Sequence, residues 1–263
     1  MVNQQKLYKS YNIWSPAFNQ LSGGVRVLYG LKAWLETKGQ TVEINGEPDE
    51  NKIAIYPEIV NYNPLKSKNI VRYILQKVGL MTTHGIPGPT TFEGEKVFVF
   101  SELYNTVGVD EDHKMFLPIL NTTLFKDNKR PRSGACVYIR RIPRTPIIDY
   151  PGPVLTKEII KDQQGLSDYL NSIEIMHFYG PTSAMHDIAR LSGCRVVIHP
   201  AEDKFKQTKE DFAKYELCQD FNGISWEEDN GKKLDTERFT GLYFDLRKRM
   251  WDKIDNFINL TQI

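Results

Sequence analysis

The sequence predicts an α/β chain folded as two small doubly wound domains. Three observations carry that expectation. Strand-like and helix-like segments alternate through the first half, a polar and charged stretch interrupts them, and the alternation then restarts. With 263 residues the chain is long enough for one large domain or two small ones, each with its own core.

The elements follow from local patterning. Tyr11 to Trp14 reads as a short strand. Ser22 is placed to cap a helix that opens at Gly23-Gly24 and runs to about Lys38, because Val25, Leu28, Leu31 and Leu35 recur at helical spacing. Gly39 stops it, and Thr41–Ile44 and Lys52–Tyr56 follow as strands. Asn63-Pro64 reads as the start of a second helix, with Ile70, Val71, Ile74, Leu75 and Val78 on one face and Gly79 as its stop. Val97–Phe100 is a clear strand, and Met115–Leu120 is read as another.

Residues 127–134, with no apolar period, read as a linker. The first domain is then 1–126, the second 135–240, and residues 241–263 form a C-terminal helix with Tyr243, Leu246, Met250, Ile254 and Phe257 at helical spacing. Within the second domain, Cys136–Ile139, Ile173–Phe178 and Arg195–Ile198 read as strands, and Gly165–Asn171 and Ser183–Ser192 as helices. The alternation implies parallel sheets covered on both faces, with ligands outside the carboxyl ends of their strands and a cleft where two such domains face each other.

Composition narrows the function classes. Lys+Arg number 34 against Asp+Glu 33, so no global field recruits nucleic acid or an anionic membrane. No apolar run approaches a membrane span, and residues 1–20 lack the apolar core of a secretory signal. The three cysteines, Cys136, Cys194 and Cys218, lie far apart without a CxxC pair, which fits a reducing, cytoplasmic setting. GxxxxGK[ST], GxGxxG, HExxH and GxSxG are all missing, so P-loop, ordinary dinucleotide, zinc-protease and lipase chemistries lose weight.

Several residues remain as candidates. Tyr179-Gly180-Pro181-Thr182-Ser183 follows a strand and opens a helix, where free N–H groups and two hydroxyls suit a phosphate. Arg140 and Arg141 follow a strand and offer the bidentate cations that a diphosphate needs. Gly23 and Gly24 let a ligand approach the backbone. Tyr56 and Glu58, and Glu102 and Tyr104, follow buried strands, so either carboxylate can act as a base. His84 sits in a Gly/Pro-rich loop suited to a cleft wall, whereas His177, His186 and His199 read as packing or capping residues. Asp110-Glu111-Asp112 matches an Asp-x-Asp metal chelate but sits in a polar stretch, which favours a solvated turn. No metal is expected.

Taken together, these residues resemble a family. Ser22–Leu28 looks like the glycine loop of GT-B glycosyltransferases. Ile55–Val60, then Asn63-Pro64-Leu65 and Val71-Arg72-Tyr73, is similar to a "YPEIV…NPL…VVRW" pattern in a bacterial and phage branch of these enzymes. Phe178–Ala184 through Gly193–Val197 resembles that branch's donor-binding region. The resemblance implies two Rossmann-like domains facing a central cleft, with the C-terminal helix crossing back to the first domain. It implies transfer of a hexosyl or pentosyl group from a nucleotide diphosphate sugar, such as a UDP-sugar, held by the second domain. The acceptor hydroxyl, held by the first, would belong to a saccharide or to a hydroxymethylated base in phage DNA. Gly23, Gly24, Arg140, Arg141, Tyr179, Thr182 and Ser183 fall on the donor side, and Tyr56, Asn63, His84 and Tyr104 on the acceptor side. The sequence departs from the branch twice: Gly180 stands where relatives often carry an acidic residue, and Ile188 stands where they carry a ribose-binding glutamate, with Asp187 beside it as a substitute. No further cofactor is implied. The alternatives are a metal-dependent transferase using Asp110 and Asp112, or a nucleotide-binding module without transferase activity.

Overall fold

The computed structural model describes residues 9–83, 86–140, 150–202, 204–226 and 233–262. They form two compact units. The first comprises residues 1–117 and 246–263, and the second residues 118–245.

In the first unit the elements run β1 (Tyr11–Ile13), α1 (Gly23–Thr37), β2 (Val42–Ile44), β3 (Ile53–Pro57), β4 (Asn69–Ile74), the short β5 (Thr82–Thr83) and β6 (Ile86–Pro87), and β7 (Lys96–Val99). The main sheet has the order β2-β1-β3-β4-β7, and every neighbouring pair is parallel. Strand order reverses between β1 and β3, which makes that edge the switch point of the sheet. Ser22 caps α1 by accepting from Val25 N–H, and Val25, Val27, Leu28, Leu31 and Leu35 are its buried positions.

The expected helix over 63–79 is instead β4. A central strand of a parallel sheet is buried on both faces, so Val71, Arg72, Tyr73 and Ile74 are all buried and the apolar residues among 70–74 also satisfy a helical period. Asn63 does not start a helix. Its side chain closes a turn, accepting from Ser67 N–H and donating to the Ser67 carbonyl. The strand expected at Met115–Leu120 is also absent. Only a bridge between Val99 and Lys114 and a bond from Met115 N–H to the Val99 carbonyl form there.

The second unit contains β8 (Ala135–Ile139), α2 (Lys157–Lys161), α3 (Gln163–Ser172), β9 (Ile175–Tyr179), α4 (Ala184–Leu191), β10 (Arg195–His199), α5 (Lys209–Ala213) and β11 (Ile224–Trp226). Its all-parallel sheet has the order β11-β10-β9-β8. Residues 127–134, the expected linker, lie inside this unit, where Arg132 donates to Asp127 and to the carbonyls of Leu170 and Ile173.

Coverage of this sheet differs from expectation. β9 and β10 alternate between buried Met176, Phe178, Val196 and Ile198 and half-buried Ile175, His177, Tyr179, Arg195, Val197 and His199. The pattern is that of a sheet with one dry face and one partly open face.

The last helix, α6 (Thr236–Thr261), contributes to both units. Its first part places Phe239 under the Arg190 guanidinium, and Tyr243 Oη accepts from Leu120 N–H in the second unit. Its later part sets Phe257 against Tyr11 and Phe98 of the first sheet, with Thr261 hydrogen-bonded to Tyr11 Oη. No helix among the described residues is long and apolar enough to cross a membrane.

Candidate functional site

The carboxyl end of the second sheet gathers the expected phosphate-binding residues. Arg140 follows β8, and its Nη1 donates to Ser183 Oγ at 2.8 Å. Ser183 is also the N-cap of α4, accepting from Met185 N–H. A guanidinium therefore lies against the hydroxyl that opens a helix, where backbone donors and the positive dipole end already favour an anion. Gly180 makes the approach possible. Its φ is +134, and a Cβ there would collide with the Arg140 carbonyl. That is a physical reason for glycine at this position.

Thr182 behaves differently. Its N–H and its hydroxyl both donate to Gln207 Oε1, each at 2.7 Å. Gln207 escaped sequence reading because it sits in an unpatterned polar stretch. Its amide oxygen occupies two of the donors that an anion would use at this helix start.

Beside this cradle stands a row of rings. Tyr179 stacks on His199 with centroids 4.2 Å apart and planes at 7°, and Tyr150 meets Tyr179 edge-on. His177 Nδ1 and His199 Nε2 are 3.0 Å apart with centroids at 5.3 Å, so the two nitrogens face each other in line. One imidazole donates and the other accepts, which requires the accepting ring to be neutral. Burial lowers the pKa of His177, and burial together with His177 pushes His199 down to about 4. Burial, then Tyr150, raises the Tyr179 phenol.

Asp187 lies elsewhere. It is buried in the interior, where Oδ1 accepts from Arg190 and contacts His186 Nδ1, and Oδ2 accepts from Tyr215. Burial opposes its ionisation, but His186 and Arg190 outweigh burial and hold the carboxyl below its usual range. The expected ribose contact is thus occupied by core partners.

In the first unit, Glu58 ends β3 and is buried, with Oε2 accepting from Leu75 N–H at 2.8 Å beyond the end of β4. Burial pushes its carboxyl up to about 7 against the pull of backbone donors and Arg72. Arg72, singled out only through the resemblance, donates to the carbonyls of Pro57 and Val60 and forms a two-bond pair with Glu95. Its guanidinium lies over Tyr56 and Phe92. Tyr56 Oη donates to Asn63 Oδ1 and accepts from Leu65 N–H, so these two of the four expected acceptor-side residues shape the loop after β3. Gly24, at the start of α1, packs next to Leu75, while nothing lies within 4 Å of a Cβ at Gly23. Gly23, Gly24 and Glu58 therefore share the carboxyl end of the first sheet.

Glu102 sits apart from that group. It pairs with Lys114 at 2.7 Å and accepts from Asn105, and these partners outweigh burial and lower its pKa. Tyr104 is buried with Ile74 and Val99. Asp110 caps a 3-10 turn and contacts His113 Nδ1, so its carboxylate serves the turn. Among the described residues, no group of three or more His, Cys, Asp and Glu side chains comes together as a metal site. Arg141 and His84 lie outside the described residues.

Neither a protein family nor a curated protein matches the sequence. A solved structure of an uncharacterized protein from Klebsiella pneumoniae subsp. pneumoniae NTUH-K2044 is similar in fold, with a TM-score of 0.49 and 12% identity over 84% of this chain and 93% of that one.

Proposed function

We propose that the chain is a glycosyltransferase of the GT-B kind, taking its donor, a nucleotide diphosphate sugar, at the carboxyl end of the second sheet. The observation that carries this reading is the Arg140 guanidinium bonded to Ser183 Oγ at the start of α4. Fixed donors of this kind stabilise the charge that builds on a leaving diphosphate. In the transfer, the bond from the anomeric carbon to the diphosphate oxygen breaks and one to the acceptor oxygen forms. The acceptor's proton passes to a general base. Tyr179 and His199 offer a ring platform beside the diphosphate site.

Thermal stabilisation across nucleoside diphosphates and nucleotide sugars tests the reading. A ligand at a hundredfold excess over its dissociation constant adds about 2.7 kcal/mol to the folded state. One nucleotide class should stabilise the protein, Arg140→Ala should abolish the shift, and that donor should then turn over with an acceptor. Binding without turnover for any acceptor would leave a nucleotide-binding module, and no binding at all would remove the reading.

A further inference from the structure

We propose that His177 and His199 form a two-coordinate site for a monovalent closed-shell cation, copper(I), on the partly open face of the second sheet. The two rings sit on neighbouring strands. Parallel pairing sets His177 opposite Val197 and Tyr179 opposite His199, so the histidines are diagonal neighbours on one face of β9 and β10. Both belong to the half-buried set of those strands, where an ion can reach them. Nothing in this assignment depends on a nucleotide at the start of α4.

Geometry selects the coordination number. His177 Nδ1 and His199 Nε2 are 3.0 Å apart while the ring centroids are 5.3 Å apart, so the two nitrogens point at each other along one line. An ion entering between them is met from opposite sides, which is the linear arrangement of two-coordinate copper(I). At about 2 Å per metal–nitrogen bond the pair must open by about 1 Å. That movement falls to His177, because Tyr179 stacks on His199 at 4.2 Å with planes at 7° and holds that ring. The proton between the rings moves, through water, to the far nitrogen of the imidazole that carries it. Copper takes its place, and no net proton is released.

Ligand count and charge select the metal. Zinc closes a tetrahedral shell of four ligands. Among the described residues, no third His, Cys, Asp or Glu side chain joins this pair. Imidazole suits copper, and a single charge suits a half-buried site without an anion, because desolvating an ion costs more as its charge rises. Burial lowers the pKa of His177, and burial with His177 lowers that of His199, while no carboxylate acts on either ring. At pH 7 both imidazoles are therefore neutral, the form that ligates a metal.

The test is anaerobic titration of the full, reduced chain with copper(I) in competition with bicinchoninate, followed by X-ray absorption and nitrogen-detected histidine NMR. The first equivalent should show two nitrogen neighbours at about 2 Å and the edge feature of linear copper(I). The His177 Nδ1 and His199 Nε2 resonances should shift together. His177→Gln and His199→Gln should each weaken binding by about a hundredfold, since losing a ligand costs no less than losing the group that orients one. Circular dichroism checks that each variant folds, and the spectra of the parent chain stand without them. The proposal is overturned if the parent chain fails to bind copper(I), or if both folded variants bind it as the parent does. Sulfur around the first equivalent would place the ion at Cys136, Cys194 or Cys218 and also overturn it. So would zinc(II) binding more tightly than copper(I) at the same two rings.

Discussion

Asp187 Oδ1 and Arg190 Nη2 lie 2.7 Å apart in the interior of the second unit, one helical turn from each other on α4. Arg190 also donates to the carbonyls of Leu217 and Asn222, so the pair ties α4 to the segment that leads into β11. Removing one partner leaves a buried charge unpaired. Asp187→Ala should destabilise the protein by about 3–5 kcal/mol in urea unfolding. At temperatures where the variant remains folded, its nucleotide affinity should match that of the parent. A selective loss of affinity with unchanged stability would return Asp187 to the ligand site.

Gln207→Ala frees the N–H and the hydroxyl of Thr182. If an anion uses the start of α4, removing this internal competitor should tighten nucleotide diphosphate binding by roughly two- to tenfold in calorimetry. Weaker binding would mean that Gln207 contacts the ligand itself.

Gly180→Ala places a Cβ against the Arg140 carbonyl at a φ that L-residues rarely adopt. The cost should be about 2 kcal/mol or more. The displaced Arg140 should weaken nucleotide binding in the same variant. A substitution that is silent in both assays would contradict the tight approach of these two backbones.

Glu58 makes stability depend on pH in a defined direction. Its folded pKa, about 7, lies well above the usual glutamate value, so between the two the folded state holds a proton that the unfolded chain has released. The stabilisation is complete below the lower value and is lost as pH rises through the upper one, an effect on the order of 3 kcal/mol. Glu58→Gln should therefore gain stability relative to the parent between pH 5 and pH 8, as read by urea midpoints. A difference that stays constant across that range would contradict the buried carboxyl.

His199 has the opposite sign. Its folded pKa of about 4 lies well below the usual histidine value, so between the two the unfolded chain binds the extra proton, and this contribution is lost as pH falls through that window. In nitrogen-detected NMR the His199 ring should remain neutral at pH 5.5, with one proton shared across its contact with His177. An imidazolium at His199 at pH 5.5 would contradict the downward shift that burial and His177 impose on this ring.

Much of this was legible in the sequence. The Ser22 cap with its Val25–Leu35 stripe, and the Phe178–Ser183 strand-to-helix turn, appear where local patterning puts them, because caps and periodicity act within a few residues. The 69–74 segment was misread because burial on both faces erases the two-residue alternation that marks a strand. Arg140 and Ser183 were legible as separate candidates, but their contact joins positions 43 residues apart and depends on the register of β8 with β9. Gln207 was not legible at all. An amide reaching back 25 residues leaves no local signal.

The division of the chain also bears on its synthesis. The first unit draws on residues 1–117 and 246–263, whereas the second is continuous from 118 to 245. A ribosome working from the amino end therefore polymerises every residue of the second unit before the last part of the first exists. Until then, the sheet face that receives Phe257 at Tyr11 and Phe98 has no cover. The amino-terminal unit, made first, is completed last, so a nascent chain stalled before residue 246 exposes an apolar face that a chaperone would recognise.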